Sequence, residues 1–174
     1  KTAGSMTQSS VLLLRSNIIS PEKVKEVRNL TYTTSASYLL MCSLDLARKQ
    51  MATRGNEMLE EALRLARWAR EEINRIDGLY AFGRELTGTP GCFDFDETKL
   101  GVNVRGLGYT GYEVEHILRK KYNIQVELSD IYNILAIVSI GDRQEDLEAL
   151  VNALKDIASK TDRRAQESVI KIPD

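Results

Sequence analysis

Apolar and polar positions change period several times along this chain. Ser9 to Arg15 is a short leucine-rich run, with Val11, Leu12, Leu13 and Leu14 in succession, and Ser16-Asn17 ends it. A continuous apolar run of that length predicts a buried strand. Ser20-Pro21-Glu22 is a helix start, with Ser20 as the cap and Pro21 at the first helical position, and that helix ends near Asn29. Thr31 to Ser37 is rich in hydroxyls and has no period, which predicts a loop. From Ala36 the pattern turns helical through Leu39, Leu40, Leu44, Leu46 and Ala47, and Gly55-Asn56 is expected to end it. A second long helix follows, with Leu59, Ala62, Leu63, Ala66, Ala69 and Ile73 on one stripe.

After Asp77-Gly78 the rhythm shifts. Leu79–Gly83, Leu100–Val104, Ile124–Glu127 and Asn133–Ile140 read as strands, and Thr87–Thr98 as a loop containing Gly, Pro and Asp. Thr110 with Glu113, and Asp142 with Glu145, have capping-box spacing and predict two further helices, the last running to about Ser159. The chain is therefore expected to divide near Thr53. An α/β fragment over 1–53 would precede an α+β domain over 54–160 that opens with a long helix, leaving 161–174 as a polar tail or connector.

Composition narrows the function classes. The 174 residues are 43% hydrophobic and 28% charged, ordinary values for a globular chain able to bury a core. With 24 basic and 25 acidic residues the formal net charge is −1, so no basic face for nucleic acid is implied. Two cysteines, Cys42 and Cys92, make neither a disulfide framework nor a Cys-x-x-Cys pair. His116 is the only histidine, which argues against a histidine-based metal site, and no metal is expected. No signal peptide or membrane-length apolar run is read here, and a cytoplasmic protein is expected.

Gly106-Leu107-Gly108-Tyr109-Thr110-Gly111 matches G-x-G-x-x-G between an expected strand and an expected helix, and Glu127 closes the next strand. That is the spacing of a dinucleotide fingerprint. Two features weigh against it. A doubly wound domain needs several parallel strands, and the Thr110 capping box starts the helix late, leaving Gly106 and Gly108 in a connector. The plainer reading is a glycine-rich turn. A nucleotide-binding module, or a non-catalytic α+β interaction domain, remains the alternative to an enzyme.

Lys1-Thr2-Ala3-Gly4-Ser5-Met6-Thr7-Gln8, running into the Ser9–Arg15 segment, resembles the cofactor-lysine segment of the ornithine/lysine/arginine decarboxylases, which use pyridoxal 5'-phosphate. Thr33-Thr34-Ser35 with Tyr38-Leu39-Leu40 and Ser43-Leu44-Asp45 resembles the family's Thr-Thr-Ser segment and the helix behind it. Val126-Glu127-Leu128-Ser129-Asp130-Ile131-Tyr132-Asn133 resembles the segment near the active-site mouth, and Gly141-Asp142 also fits. The closest likeness is to the shorter Gram-positive-type enzymes, prominent among them arginine decarboxylases.

The resemblance implies an α/β fold: the end of a fold-type-I large domain followed by its α+β small domain. It implies Lys1 as the Schiff-base lysine. Thr33 is the best match to a threonine that reaches the cofactor phosphate of a neighbouring subunit, with Thr34 and Ser35 beside it. Glu127 and Asp130 are the carboxylates available to the cationic end of a basic amino acid. The plain alternative for that pair is two solvated turn carboxylates, and for Thr33–Ser35 a capping loop. Arginine is the first expected substrate, with lysine or ornithine as alternatives, and a homodimer or higher homo-oligomer is implied. The family's acid for the pyridine nitrogen, its ring-stacking group and its main phosphate loop are not in these 174 residues. The chain is therefore expected to be a partial enzyme that lacks its N-terminal part.

Overall fold

The computed structural model describes residues 4–6, 10, 12–15, 18–32 and 35–161. The chain divides into two compact units at Gly55/Asn56.

In the first unit Ser20 caps helix α1 (Pro21–Thr31): its Oγ accepts the Lys23 N–H at 3.2 Å, and Pro21 fills the first turn, where no N–H is needed. The helix ends as Tyr32 N–H donates to the Arg28 carbonyl, with the Arg28 guanidinium 5.3 Å from the Tyr32 ring centre. No residue of α1 is buried. The buried strand expected over Ser9–Arg15 is not formed among the described residues. Its described residues, Ser10 and Leu12–Arg15, lie in no ladder, and Leu12 and Leu13 are 71% and 86% exposed. A strand that is apolar on both faces needs neighbouring strands and covering layers, and no described residue of this unit supplies a strand.

Helix α2 (Tyr38–Asn74) is a single element of 37 residues, where two helices are expected with a break at Gly55-Asn56. Gly55 keeps helical backbone and is itself buried. One interior glycine costs about 1 kcal/mol, less than the summed preference of the Ala, Leu, Met, Glu and Arg around it. Beyond Asn56 the helix presents Ala62, Leu65, Ala66, Ala69 and Ile73 to a core. Leu65 takes the place expected of Leu63, which is half-buried, because the 3.6-residue period carries the stripe through 62, 65/66, 69 and 73.

The second unit is built on a four-stranded antiparallel sheet, β1 (Tyr80–Ala81), β2 (Lys99–Asn103), β3 (Leu128–Ser129) and β4 (Asn133–Ile137), in the order β1-β2-β4-β3. Leu100 stands opposite Ala136, Val102 opposite Ile134 and Leu128 opposite Leu135. The strand expected over Ile124–Glu127 lies further on, at 128–129. Asn123 turns left-handed (φ 55°), and Ile124 N–H returns to the Leu118 carbonyl, so the residues just after the helix are spent ending it.

Helices α3 (Gly111–Lys121) and α4 (Gln144–Lys160) complete the unit. Thr110 and Glu113 form the expected reciprocal box. The start of α4 falls one residue later than expected. Asp146, not Glu145, reaches back to the Arg143 N–H at 2.9 Å, while Asp142 accepts the Ser139 N–H in the preceding turn. Leu65, Ile73, Leu100, Val102, Val114, Leu118, Ile134, Val151 and Leu154 share one core. Gly101, on the opposite face of β2, lies beneath the Phe82 ring. Gly78 and Gly106 bring two backbones together: a Cβ on Gly106 would meet the Gly78 carbonyl oxygen at 2.5 Å.

Candidate functional site

Lys1, Thr33 and Thr34 lie outside the described residues. Ser35 is exposed, three residues before the first residue of α2. The first turn of that helix holds no acidic side chain, and its opening N–H groups carry the positive end of the helix dipole. A hydroxyl followed by such a helix start is a donor set that suits a phosphate, so the residues present fit the phosphate end of the implied cofactor.

Glu127 and Asp130 belong to the second unit and both are exposed. The Glu127 N–H donates to the Leu135 carbonyl at 2.8 Å, fixing its backbone to β4. Asp130 sits in the β3–β4 turn, where its Oδ1 accepts the N–H groups of Tyr132 and Asn133, each at 2.7 Å, and its Oδ2 accepts from the Asn133 side chain at 3.0 Å. The Asn133 amide and then the two backbone donors hold its carboxyl below the usual carboxylate range. Asp130 thus closes its own turn. Arg105, with its guanidinium 5.3 Å from the Tyr132 ring centre, stacks on that turn.

The glycine motif is absorbed by packing. Gly108 is left-handed (φ 75°) and ends a 3₁₀ turn over Arg105–Leu107. Gly111 lies against the β3–β4 turn, where a Cβ would meet the Asn133 carbonyl oxygen at 2.1 Å and that of Asp130 at 2.4 Å. At the start of α3, Gly111 N–H donates to the Ile131 carbonyl, Thr110 N–H to Glu113, and Glu113 N–H to the Thr110 hydroxyl. The place a pyrophosphate would take is filled by the protein's own turn, in a sheet without a parallel pair. This geometry does not build a dinucleotide site.

His116 is exposed on α3, and Trp68 packs against the core from α2. Among the described residues no three of His, Cys, Asp or Glu come together as a metal site would require.

A charged cluster with a buried carboxylate lies at the end of the segment Thr87–Thr98, where only a loop is expected. Glu97 is buried and accepts a two-pronged contact from Arg67, at 2.7 and 2.9 Å, with Arg84 at 3.3 Å. Arg67, then Arg84, holds its carboxyl down at about 2. Arg70, one turn further along α2, donates to the carbonyls of Phe82, Glu97 and Lys99. The signal in the sequence is Arg64, Arg67 and Arg70 at three-residue spacing beside the core stripe.

Residues 1–146 match the family model for the major domain of Orn/Lys/Arg decarboxylases. The chain belongs to this decarboxylase family. Among its relatives, an arginine decarboxylase from Bacillus subtilis (strain 168) is 45% identical over 177 residues, covering all of this chain and 36% of that protein. An arginine decarboxylase from Halalkalibacterium halodurans is 49% identical over 158 residues, covering 91% of this chain and 32% of that protein. The family member thus spans about a third of the length of these relatives. The structure of the E. coli constitutive lysine decarboxylase shares its mixed helix–sheet fold, with a TM-score of 0.59 at 18% identity over 81% of this chain and 25% of that one.

Proposed function

We propose that this chain is part of a pyridoxal-phosphate-dependent enzyme that decarboxylates arginine to agmatine, a step in polyamine formation. The observation that carries this reading is 45% identity along the whole chain to a protein named arginine decarboxylase. In this reading 1–53 ends the fold-type-I large domain, 54–160 is the small domain and 161–174 a connector. The enzyme is a cytoplasmic homodimer, completed by the N-terminal part of the same protein. No helix among the described residues is long and apolar enough to cross a membrane, which is consistent with that setting.

When bound, pyridoxal phosphate supplies the electron sink for the pair left by the departing carboxylate. This chain's residues do the rest. Lys1 would hold the cofactor through Nζ and, when not so engaged, would carry a proton at the same atom. Thr33, Thr34 and Ser35 donate hydroxyls to the phosphate. Glu127, with the charge of Asp130 nearby in sequence, faces the guanidinium of the substrate.

The test is borohydride reduction of the complete, cofactor-loaded protein followed by peptide mapping. A pyridoxyl adduct on Lys1 is expected; an adduct on another lysine overturns the Lys1 assignment, and no adduct at all favours a non-catalytic module. Carbon dioxide release from arginine, lysine and ornithine then fixes the substrate. Faster turnover of lysine or ornithine overturns arginine and leaves Lys1 in place.

A further inference from the structure

Residues 84–98 leave the sheet after β1 and return to it at β2. None of residues 84–96 is buried, and Phe93 at the tip is 96% exposed. The segment's inner backbone bonds close on itself: Thr87 to Arg84, Thr89 to Leu86, Cys92 to Thr89 and Gly88 to Cys92. Its roots are held differently. Arg67 grips the Glu97 carboxylate with two prongs and Arg84 reaches the same carboxylate from the other end of the segment, also lying 3.6 Å from Asp94. Arg70 joins the carbonyls of Phe82 and Glu97, on either side of the segment, and its guanidinium lies 5.6 Å from the Phe95 ring centre. The segment is fastened by charge-assisted hydrogen bonds at its base, with no core residue along its length.

We propose that residues 85–96 form a strap that opens and closes as a unit while the sheet stays intact, with the Glu97 clasp to Arg67 and Arg84 as its latch. The physical ground is the separation of two kinds of contact. Opening the strap breaks turns within it, the bonds of Glu85 to the Tyr80 hydroxyl and the Gly83 N–H, and the clasp at its base, but moves no fully buried apolar side chain of the core that holds β2 and β4 against the helices. Segments with exposed backbone bonds and little apolar burial are those that open below the global unfolding free energy. A two-pronged carboxylate–guanidinium contact is among the stronger hydrogen-bonded links that can hold one shut.

Hydrogen exchange read by mass spectrometry on the full chain tests this. In the unmutated protein, peptides covering 85–96 exchange faster than those covering Val102 and Ile134. In Glu97→Gln the strap exchanges roughly ten-fold faster still, while β2 and β4 change by less than about two-fold. Arg84→Ala keeps the Arg67 contact and shifts the strap in the same direction by less, so it gives the reading if Glu97→Gln fails to fold. The proposal is overturned if strap and sheet exchange at one common rate, or if the variants speed both equally. An unchanged strap in the variant that folds overturns the latch as well.

Discussion

The two units of this chain treat apolar side chains in opposite ways. Up to Gly55, leucines and isoleucines stand in the open: Leu12, Leu13, Ile18, Leu30 and Leu39 are all exposed, and Ala47 is the buried apolar side chain among the described residues. From Asn56 on, three helices and a small antiparallel sheet bury a continuous set of aliphatic residues. Yet the residues that the family resemblance ties to the cofactor, Lys1 and Thr33–Ser35, fall in the first unit, while Glu127 and Asp130, which it ties to the substrate, fall in the second. The second closes its own core and holds its loops with ion pairs. Cofactor anchoring and self-sufficient stability are thus expected in different stretches of one sequence, and each can be disturbed with little effect on the other.

The largest effect that would sharpen this contrast is on activity. Lys1→Ala in the complete protein is expected to lower decarboxylation by about 10²–10⁴-fold or more. The urea unfolding midpoint of the second unit should stay where it was; a shift in that midpoint would break the comparison. Next comes a matched pair of truncations. Leu154→Ala removes a fully buried side chain and is expected to cost about 2–5 kcal/mol in urea unfolding of the chain. Leu13→Ala, at an exposed position, should stay within about 0.5 kcal/mol. Equal costs would mean that the first unit hides a core of its own.

A pH series probes the ion pairs. The Glu97 carboxyl is lowered in the folded protein from 4.5 to about 2 by Arg67 and Arg84. A lowered carboxylate stabilises the fold fully above its unfolded value and loses that contribution as pH falls. Thermal stability of the second unit is therefore expected to decline from about pH 4.5 towards pH 2, and Glu97→Gln should flatten part of that decline. Asp130 and Asp156 are also lowered, Asp156 first by Lys160, so the slope does not vanish altogether. The smallest effect is in the helix caps. Thr110→Ala is expected to cost about 1 kcal/mol of global stability because α3 is packed into the core. Ser20→Ala should lower only the helical signal of α1, seen by circular dichroism, with no change in the global midpoint.

What could be read from sequence followed from how local its cause was. The Ser20-Pro21 start and the Thr110–Glu113 box are decided within four residues, and both form as expected. The strands expected over Leu100–Val104 and Asn133–Ile140 also form, as Lys99–Asn103 and Asn133–Ile137, because each pairs with the other. The strand expected over Ser9–Arg15 is missing from its described residues because a strand depends on neighbours that no local pattern contains. Gly55 fails as a stop because its flanks outweigh it. Asp130 shows a limit of a different kind: a carboxylate that closes a turn and one that meets a substrate look alike in sequence, since Asn133 and the two N–H groups it accepts become visible only once the turn is folded. Glu97 hides for a similar reason, since its partners lie 30 and 13 positions away.

The meeting of Gly78 and Gly106 bears on how this sequence can drift. At Leu65 or Val102 a lost methyl group can be regained by a larger neighbour, so such sites trade volume over generations. At the glycine pair the obstacle to any side chain is main chain on both sides: Gly106 O stands 2.8 Å from a Cβ on Gly78, and Gly78 O stands 2.5 Å from one on Gly106. No second substitution can shrink a carbonyl. The two positions are therefore locked as glycine together, and across homologous chains they should appear as a jointly invariant pair rather than as a pair that covaries.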